Sequence, residues 1–195
     1  MGQEFQHQSP SFLRQAAIAG GIFAVIVFLL EVLGGFMVIN SDRGGGVLLI
    51  TLFSSAIGCL IAAFAGMVGV RMFVKEHALP MSLGEGAKIG LVTGLIVAVV
   101  NAVLDLMWVG INPGFQSELL EASIEHVEAI GQLADEDRQQ IIDMLYAETQ
   151  DQLSVANFAM GLAWGAIILG LLNTLTGTLG AKFFADQPDS LQETE

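Results

Sequence analysis

The sequence predicts an all-α polytopic membrane protein with four transmembrane helices and an extracytoplasmic helical hairpin between the third and the fourth. Three observations carry that reading. Of the 195 residues, 53% are hydrophobic and only 14% charged, a balance too apolar for an ordinary soluble domain. Four stretches, 16–39, 46–70, 89–111 and 157–181, clear the roughly 20 apolar residues that cross a hydrocarbon core about 30 Å thick. Between the last two lies a segment of opposite character, 112–156, with ten acids against the single base Arg138. Four spans and this segment use nearly the whole length, so one membrane domain over 1–195 is expected, with cytoplasmic tails at 1–15 and 182–195.

The first span carries one charge, Glu31, and its apolar run is far longer than the about 7–15 residues of a signal peptide's core. The following Asn40-Ser41-Asp42-Arg43 has no small-x-small cleavage site, so the span is expected to remain as an anchor. The second span is uncharged and holds the lone Cys59, expected as a small buried side chain with no partner for a disulfide or a zinc site. The third contains only Asp105 and the fourth no charge. Orientation follows from the bases, because basic loops resist translocation. Arg14, Arg71, Lys75, Lys88 and Lys182 share one side, against Arg43 and Arg138 on the other, which puts both termini in the cytoplasm.

The acidic segment reads as two helices. Asn112-Pro113 offers an N-cap followed by proline at the first helical position, where a missing N–H costs nothing. Phe115, Leu119, Leu120, Ile124, Val127 and Ile130 then recur at amphipathic spacing. Residues 131–134 form a break, and Asp135-Glu136-Asp137 starts a second helix with acids that suit its dipole. Ile141, Ile142, Leu145 and Leu153 are its apolar stripe.

Three spans, then Ile111-Asn112-Pro113-Gly114-Phe115 opening an acidic two-helix segment, then a glycine-rich fourth span, resembles a bacterial family of four-span membrane proteins classed as a domain of unknown function. The resemblance runs from the first span to Lys182 and departs at Gly114, where the family usually has a larger acid. It implies a bacterial inner membrane setting and no settled activity, and it supplies no catalytic residues.

The net charge of -13, from 20 acids and 7 bases, excludes nucleic acid as a partner, since phosphates demand a basic surface. It also argues against docking on anionic lipid headgroups. Among polar residues inside the spans, Glu31 is the most informative, because an intramembrane charge costs a few kcal/mol and must face protein or water. Gly20, Ala24, Val27, Glu31 and Gly35 lie on one helical face, and Gly90, Gly94, Ala98, Asn101 and Asp105 follow one another similarly. Both acids are therefore expected to point inward. Counted from the span ends, they lie about 12 and 9 Å deep, the level also expected for Thr51, Ser54, Ser55 and Asn101. No Lys or Arg lies within a span, so each acid must be protonated, hydrogen-bonded, hydrated or bound to a cation. Such a cluster serves either as a cation or proton site or as a hydrogen-bonded device that fixes helix register.

Small residues at spacing four mark close helix contacts: Gly86, Gly90 and Gly94 in the third span, Gly161 and Gly165 in the fourth, Gly20 with Ala24 in the first. Asn173 shares a face with Gly170, Gly177 and Gly180 and is expected to hydrogen-bond between helices. Trp108 and Trp164 are expected as interface anchors. Glu118, Glu121, Glu125 and Glu128 form an acidic face beside His126, either solvated or a weak divalent-ion collector. With His7 and His77 isolated, no nucleophile–base pair can be assembled, and neither metal nor cofactor is expected. The function expected is non-catalytic: an accessory or assembly component that uses its acidic hairpin, in contact with the lipid bilayer and with a membrane protein partner or further copies of itself. The alternative is a small oligomeric proton- or cation-handling transporter or channel using Glu31 and Asp105.

Overall fold

The computed structural model describes residues 11–41, 46–77, 81–151 and 154–184, with side chains described outside 46–53 and 148–151. The described residues form six helices: α1 Leu13–Ile39, α2 Gly46–His77, α3 Leu83–Ile111, α4 Phe115–Glu128, α5 Asp135–Asp151 and α6 Val155–Phe184. α1, α2, α3 and α6 are long and apolar enough to cross a membrane. The fold is the four-span, all-helical one with a helical pair before the last span.

The helices outrun their apolar stretches because backbone hydrogen bonding continues into the polar boundary wherever a cap permits. α2 reaches His77, with Lys75 and His77 in the last turn, where cations suit the helix dipole. α3 starts at Leu83 behind a capping box: Ser82 Oγ accepts from the Glu85 N–H at 3.2 Å, and the Ser82 N–H donates to Glu85 Oε2 at 2.8 Å. At the opposite end of α3 the expected cap shifts. Asn112 closes α3, its carbonyl accepts from the Phe115 N–H at 3.1 Å, and α4 begins after Gly114, so Asn112 is not the N-cap of α4.

α1 and α6 each pack against α2 and α3, and α2 meets α3 between them. Arg14 pairs with Glu76 at 3.2 Å, and Val70, Ile89 and Ala181 cluster together, which gathers the first turns of α1 and α3 and the last turns of α2 and α6 at one end, the termini end. The other is the hairpin end. Toward the termini end the bundle is held by close backbone approach. A Cβ at Gly86, Gly90 or Gly94 would run into the carbonyl oxygens of Gly177, Asn173 and Leu169 respectively, so only glycine lets α3 lie this near α6. Gly20 similarly faces Ile96. Asn173, fully buried, accepts from the Gly66 N–H at 2.6 Å and donates to the Leu169 carbonyl at 2.9 Å, while Thr176 donates to the Ala63 carbonyl at 2.5 Å. Every polar group in this knot thus has a partner inside the protein, as a lipid-enclosed core requires.

Two expectations fail here. Gly161 and Gly165 have small-xxx-small spacing, yet nothing lies within 4 Å of where a Cβ would sit on either, because α6 diverges from its neighbours toward the hairpin end. Cys59 is exposed rather than buried: an apolar stretch suits lipid as well as protein, and the sequence does not say which face meets which.

α4 and α5 pack against each other, and α4 rests on α1. Two side chains anchor it. The Phe115 ring lies over Gly35, where a Cβ would collide with it, and His126 Nε2 stands 3.1 Å from Ser41 Oγ and 3.2 Å from the Val38 carbonyl. His126 is buried, not part of a solvated acidic face. Val127 and Ile142 are buried as the amphipathic pattern predicts, and Leu153 lies outside the described residues.

Candidate functional site: an acid-lined cavity in the hairpin half

Where α6 diverges, a cavity of about 1040 Å³ opens between α1, α3 and α6 beneath the hairpin. α1 contributes Phe28, Glu31 and Val32, and α3 contributes a strip from Ala98 through Asn101, Ala102 and Asp105 to Val109. This strip continues the line of Gly90 and Gly94. One face of α3 therefore touches α6 near the termini end and faces the cavity near the hairpin end. The wall on α6 includes Phe158, Gly161, Leu162 and Gly165. Gly161 and Gly165 thus border open space, and their role in this structure is to leave it clear. Gln116 and Ser117 from α4, Ala147 from α5 and Asn157 at the start of α6 form the rim.

Glu31 and Asp105 come from different helices and line this one cavity. Asn101 Nδ2 donates to Glu31 Oε2 at 3.2 Å, and Asp105 follows one turn further along α3. Both acids keep accessible surface because they face the cavity and not the packed core. Asn101 Oδ1 is buried and has no hydrogen-bond partner among the described residues. No Lys, Arg or His occurs among the described lining residues, so the negative charge has no built-in counter-ion. Among the described residues no group of three or more His, Cys, Asp or Glu side chains is disposed to hold a metal ion.

The polar level expected from three spans comes from two. Ser54 packs against Gly34 on the seam between α1 and α2, and Ser55 is exposed. Neither lines the cavity, and the Thr51 side chain lies outside the described ones. Equal depth does not fix direction: each residue turns about 100° round the helix, so neighbours at one level look different ways. Trp108 is half-buried near the hairpin end of α3. It sits edge-on to Phe28, Phe36 and Phe115, with centroids at 6.1, 6.3 and 5.6 Å, and its Nε1 is buried without a partner among the described residues. This aromatic junction closes the α1–α3–α4 corner of the cavity. Trp164 stands exposed on α6. Glu118, Glu121 and Glu128 are exposed on α4, and His77 is tied to its own helix through the Phe73 carbonyl at 3.0 Å. His7 lies outside the described residues.

The Glu31–Asn101–Asp105 group was legible from face and depth. The aromatic wall was not, because Phe28, Trp108, Phe115 and Phe158 are far apart in sequence and each alone reads as core or lipid contact.

Fold and site together define a helical membrane protein of four spans with an acidic cavity at one end. The chain belongs to the family described as protein of unknown function (DUF4199), whose model matches residues 15–180 and so includes all four spans and the hairpin. No curated protein and no solved structure matches it.

Proposed function

We propose that this protein binds a cation in the hairpin-end cavity, with Glu31 and Asp105 supplying the charge and Asn101 holding Glu31 in place. The observation that carries the reading is the pairing of two acids from different helices in one cavity whose described lining contains no base. Like charges held at membrane depth are costly unless protons or a bound cation offset them, so the cavity favours a positively charged occupant. We read the hairpin as extracytoplasmic and both termini as cytoplasmic, an orientation the base distribution supports, in the bacterial inner membrane that the resemblance implies, so the cation arrives from the extracytoplasmic side. The close packing of α3 on α6 below Ala98 seals the other side in this state. A proton- or cation-handling transporter or channel, assembled from several copies, is the larger role this site would serve.

The test is thermal unfolding in lipid nanodiscs with chloride salts of sodium, potassium, ammonium and tetramethylammonium at one ionic strength. At least one cation is expected to raise the wild-type midpoint above the others, and the difference is expected to vanish in the Glu31→Gln, Asp105→Asn double variant. Midpoints that do not depend on the cation at any pH from 5 to about 8 would sink the reading.

A second reading has its own observation. α5 presents Met144 and Tyr146, 55% and 48% exposed, on a helix whose packed neighbour is α4. That surface suits an accessory or assembly component that offers its acidic hairpin to a membrane protein partner. Photo-crosslinking from position 146 would capture a stoichiometric partner under this reading; crosslinks to lipid and to the chain itself alone count against it.

A further inference from the structure

We infer that the cavity's occupant is an amphiphilic organic cation: a molecule with substantial apolar or aromatic surface and one or two positive charges, seated with its charge at Glu31 and Asp105. The inference rests on the cation-binding reading above and narrows it from any cation to this class.

Size argues first. At about 1040 Å³ the cavity has the volume of sites that enclose drug-sized molecules, commonly about 300–1,000 Å³. Coordination argues next. A dehydrated calcium ion takes about 6–8 oxygens in a close shell, whereas the only carboxylates in the described lining are Glu31 and Asp105, on two helices beside a wide space, with the amides of Gln116 and Asn157 at the rim. A bare inorganic ion placed here keeps most of its water and gains little selectivity.

The walls argue third, independently of the acids. Phe28, Trp108 and Phe158 border the cavity from α1, α3 and α6, with the buried Phe115 packed edge-on against Trp108, and Leu162 and Leu169 extend the apolar surface downward. Aromatic faces attract organic cations through the ring quadrupole, and the effect grows when the cation is desolvated. Asn101 Nδ2 donates to Glu31 Oε2 at 3.2 Å and so holds that carboxylate at the cavity wall. The open space at Gly161 and Gly165 supplies the room such a ligand needs. Polar residues line the rim, apolar residues the wall, and acids stand at depth; an amphiphile with a cationic group matches that order.

Two sources supply this chemistry: a free lipophilic cation or the ammonium headgroup of an aminolipid. The experiment measures saturable binding of tritiated tetraphenylphosphonium to the full chain in phosphatidylcholine nanodiscs, with empty nanodiscs as the blank. One saturable site per chain is expected, weakened by about tenfold or more in the Glu31→Gln, Asp105→Asn double variant. Gly161→Leu, which adds bulk where nothing lies within 4 Å, is expected to weaken tetraphenylphosphonium more than the smaller tetramethylammonium used as competitor. Monodisperse elution and an unfolding midpoint near wild type qualify each variant as folded. Repeating the titration with phosphatidylethanolamine in the nanodiscs separates the sources: lost binding assigns the site to the aminolipid headgroup, unchanged binding to the free cation. Absence of saturable binding, or equal affinity in wild type and double variant, overturns the inference. If inorganic cations still shift the midpoint through the two acids, the broader reading survives that failure; if they do not, both fall.

Discussion

The two halves of this bundle use the same residue type to opposite effect. Toward the termini end, Gly86, Gly90 and Gly94 bring α3 into backbone contact with α6, and the polar groups of Asn173 and Thr176 are consumed by neighbouring helices. Toward the hairpin end, Gly161 and Gly165 have the same spacing and meet nothing, while Glu31 and Asp105 face a cavity. A glycine pair in a membrane helix therefore has two possible meanings, contact or clearance, and the partner decides between them. Along the α3–α6 seam one half holds the helices together; the other is free to carry charge because α6 does not pack on α3 there.

The sharpest way to break this comparison is to add one methyl group on each side of it. Gly90→Ala places a Cβ onto the Asn173 carbonyl and must separate α3 from α6, a clash of backbone against backbone that no rotamer relieves. A destabilisation of about 3 kcal/mol or more is expected, at the upper end of overpacking costs. Gly165→Ala meets open space and should be neutral or stabilising by up to about 1 kcal/mol, since alanine is the better helix former. Thermal unfolding of both variants in the same lipid decides the matter, and equal losses would mean that the halves do not differ as described.

Removing the polar knot comes next in size. Asn173→Leu deletes the bonds to Gly66 and Leu169 and introduces a branched chain into a fully buried site. A loss of about 1–2 kcal/mol is expected, in line with interhelical hydrogen bonds in membranes plus some strain. Asn101→Leu, in the open half, should cost much less in stability and should instead weaken cation binding by freeing Glu31. Its midpoint and its cation response would be read in one experiment.

The hairpin sets a third comparison, between an element fixed to a span and one that is not. His126→Phe removes the bonds to Ser41 and the Val38 carbonyl, leaving α4 attached through Phe115. Amide exchange in α4 is expected to quicken by about tenfold, equivalent to roughly 1.4 kcal/mol of local opening, with the four spans unchanged. The smallest effect belongs to the Arg14–Glu76 pair, whose side chains are 73% and 47% exposed. Arg14→Gln, which leaves the bond from Gln15 to Glu76 in place, should shift stability by less than about 1 kcal/mol, an amount that salt further reduces.

Much of this was legible in the sequence, for reasons that differ from part to part. The spans follow from length and hydropathy, and the two hairpin helices from periodicity and the Asp135-Glu136-Asp137 start. Ser82 with Glu85 is a Ser-x-x-Glu capping signature that lies ahead of the apolar stretch, so hydropathy alone starts the span too late. The inward face of Glu31 and Asp105 follows from the small residues above and below each acid. Ser54 and Ser55 fall outside the cavity because equal depth does not fix direction. Gly161 and Gly165 make no helix contact, since spacing reveals a groove but not whether a helix fills it. The docking of His126 was out of reach: its partners lie at the far end of α1, and nothing in an acidic amphipathic helix marks one histidine as buried.

The central claim is that a cavity opens in the hairpin half while helix contact closes the termini half, so that reagent should reach the cavity from one side only. Single cysteines tested in a Cys59→Ser background address it directly, at Ala102, which lines the cavity, and at Val97, which is fully buried about a turn and a half away. With a charged, membrane-impermeant maleimide added separately to each face of oriented vesicles, Ala102→Cys should react from the hairpin face alone, and Val97→Cys from neither. Equal labelling of the two positions, or labelling of Ala102→Cys from the termini face, would contradict the account.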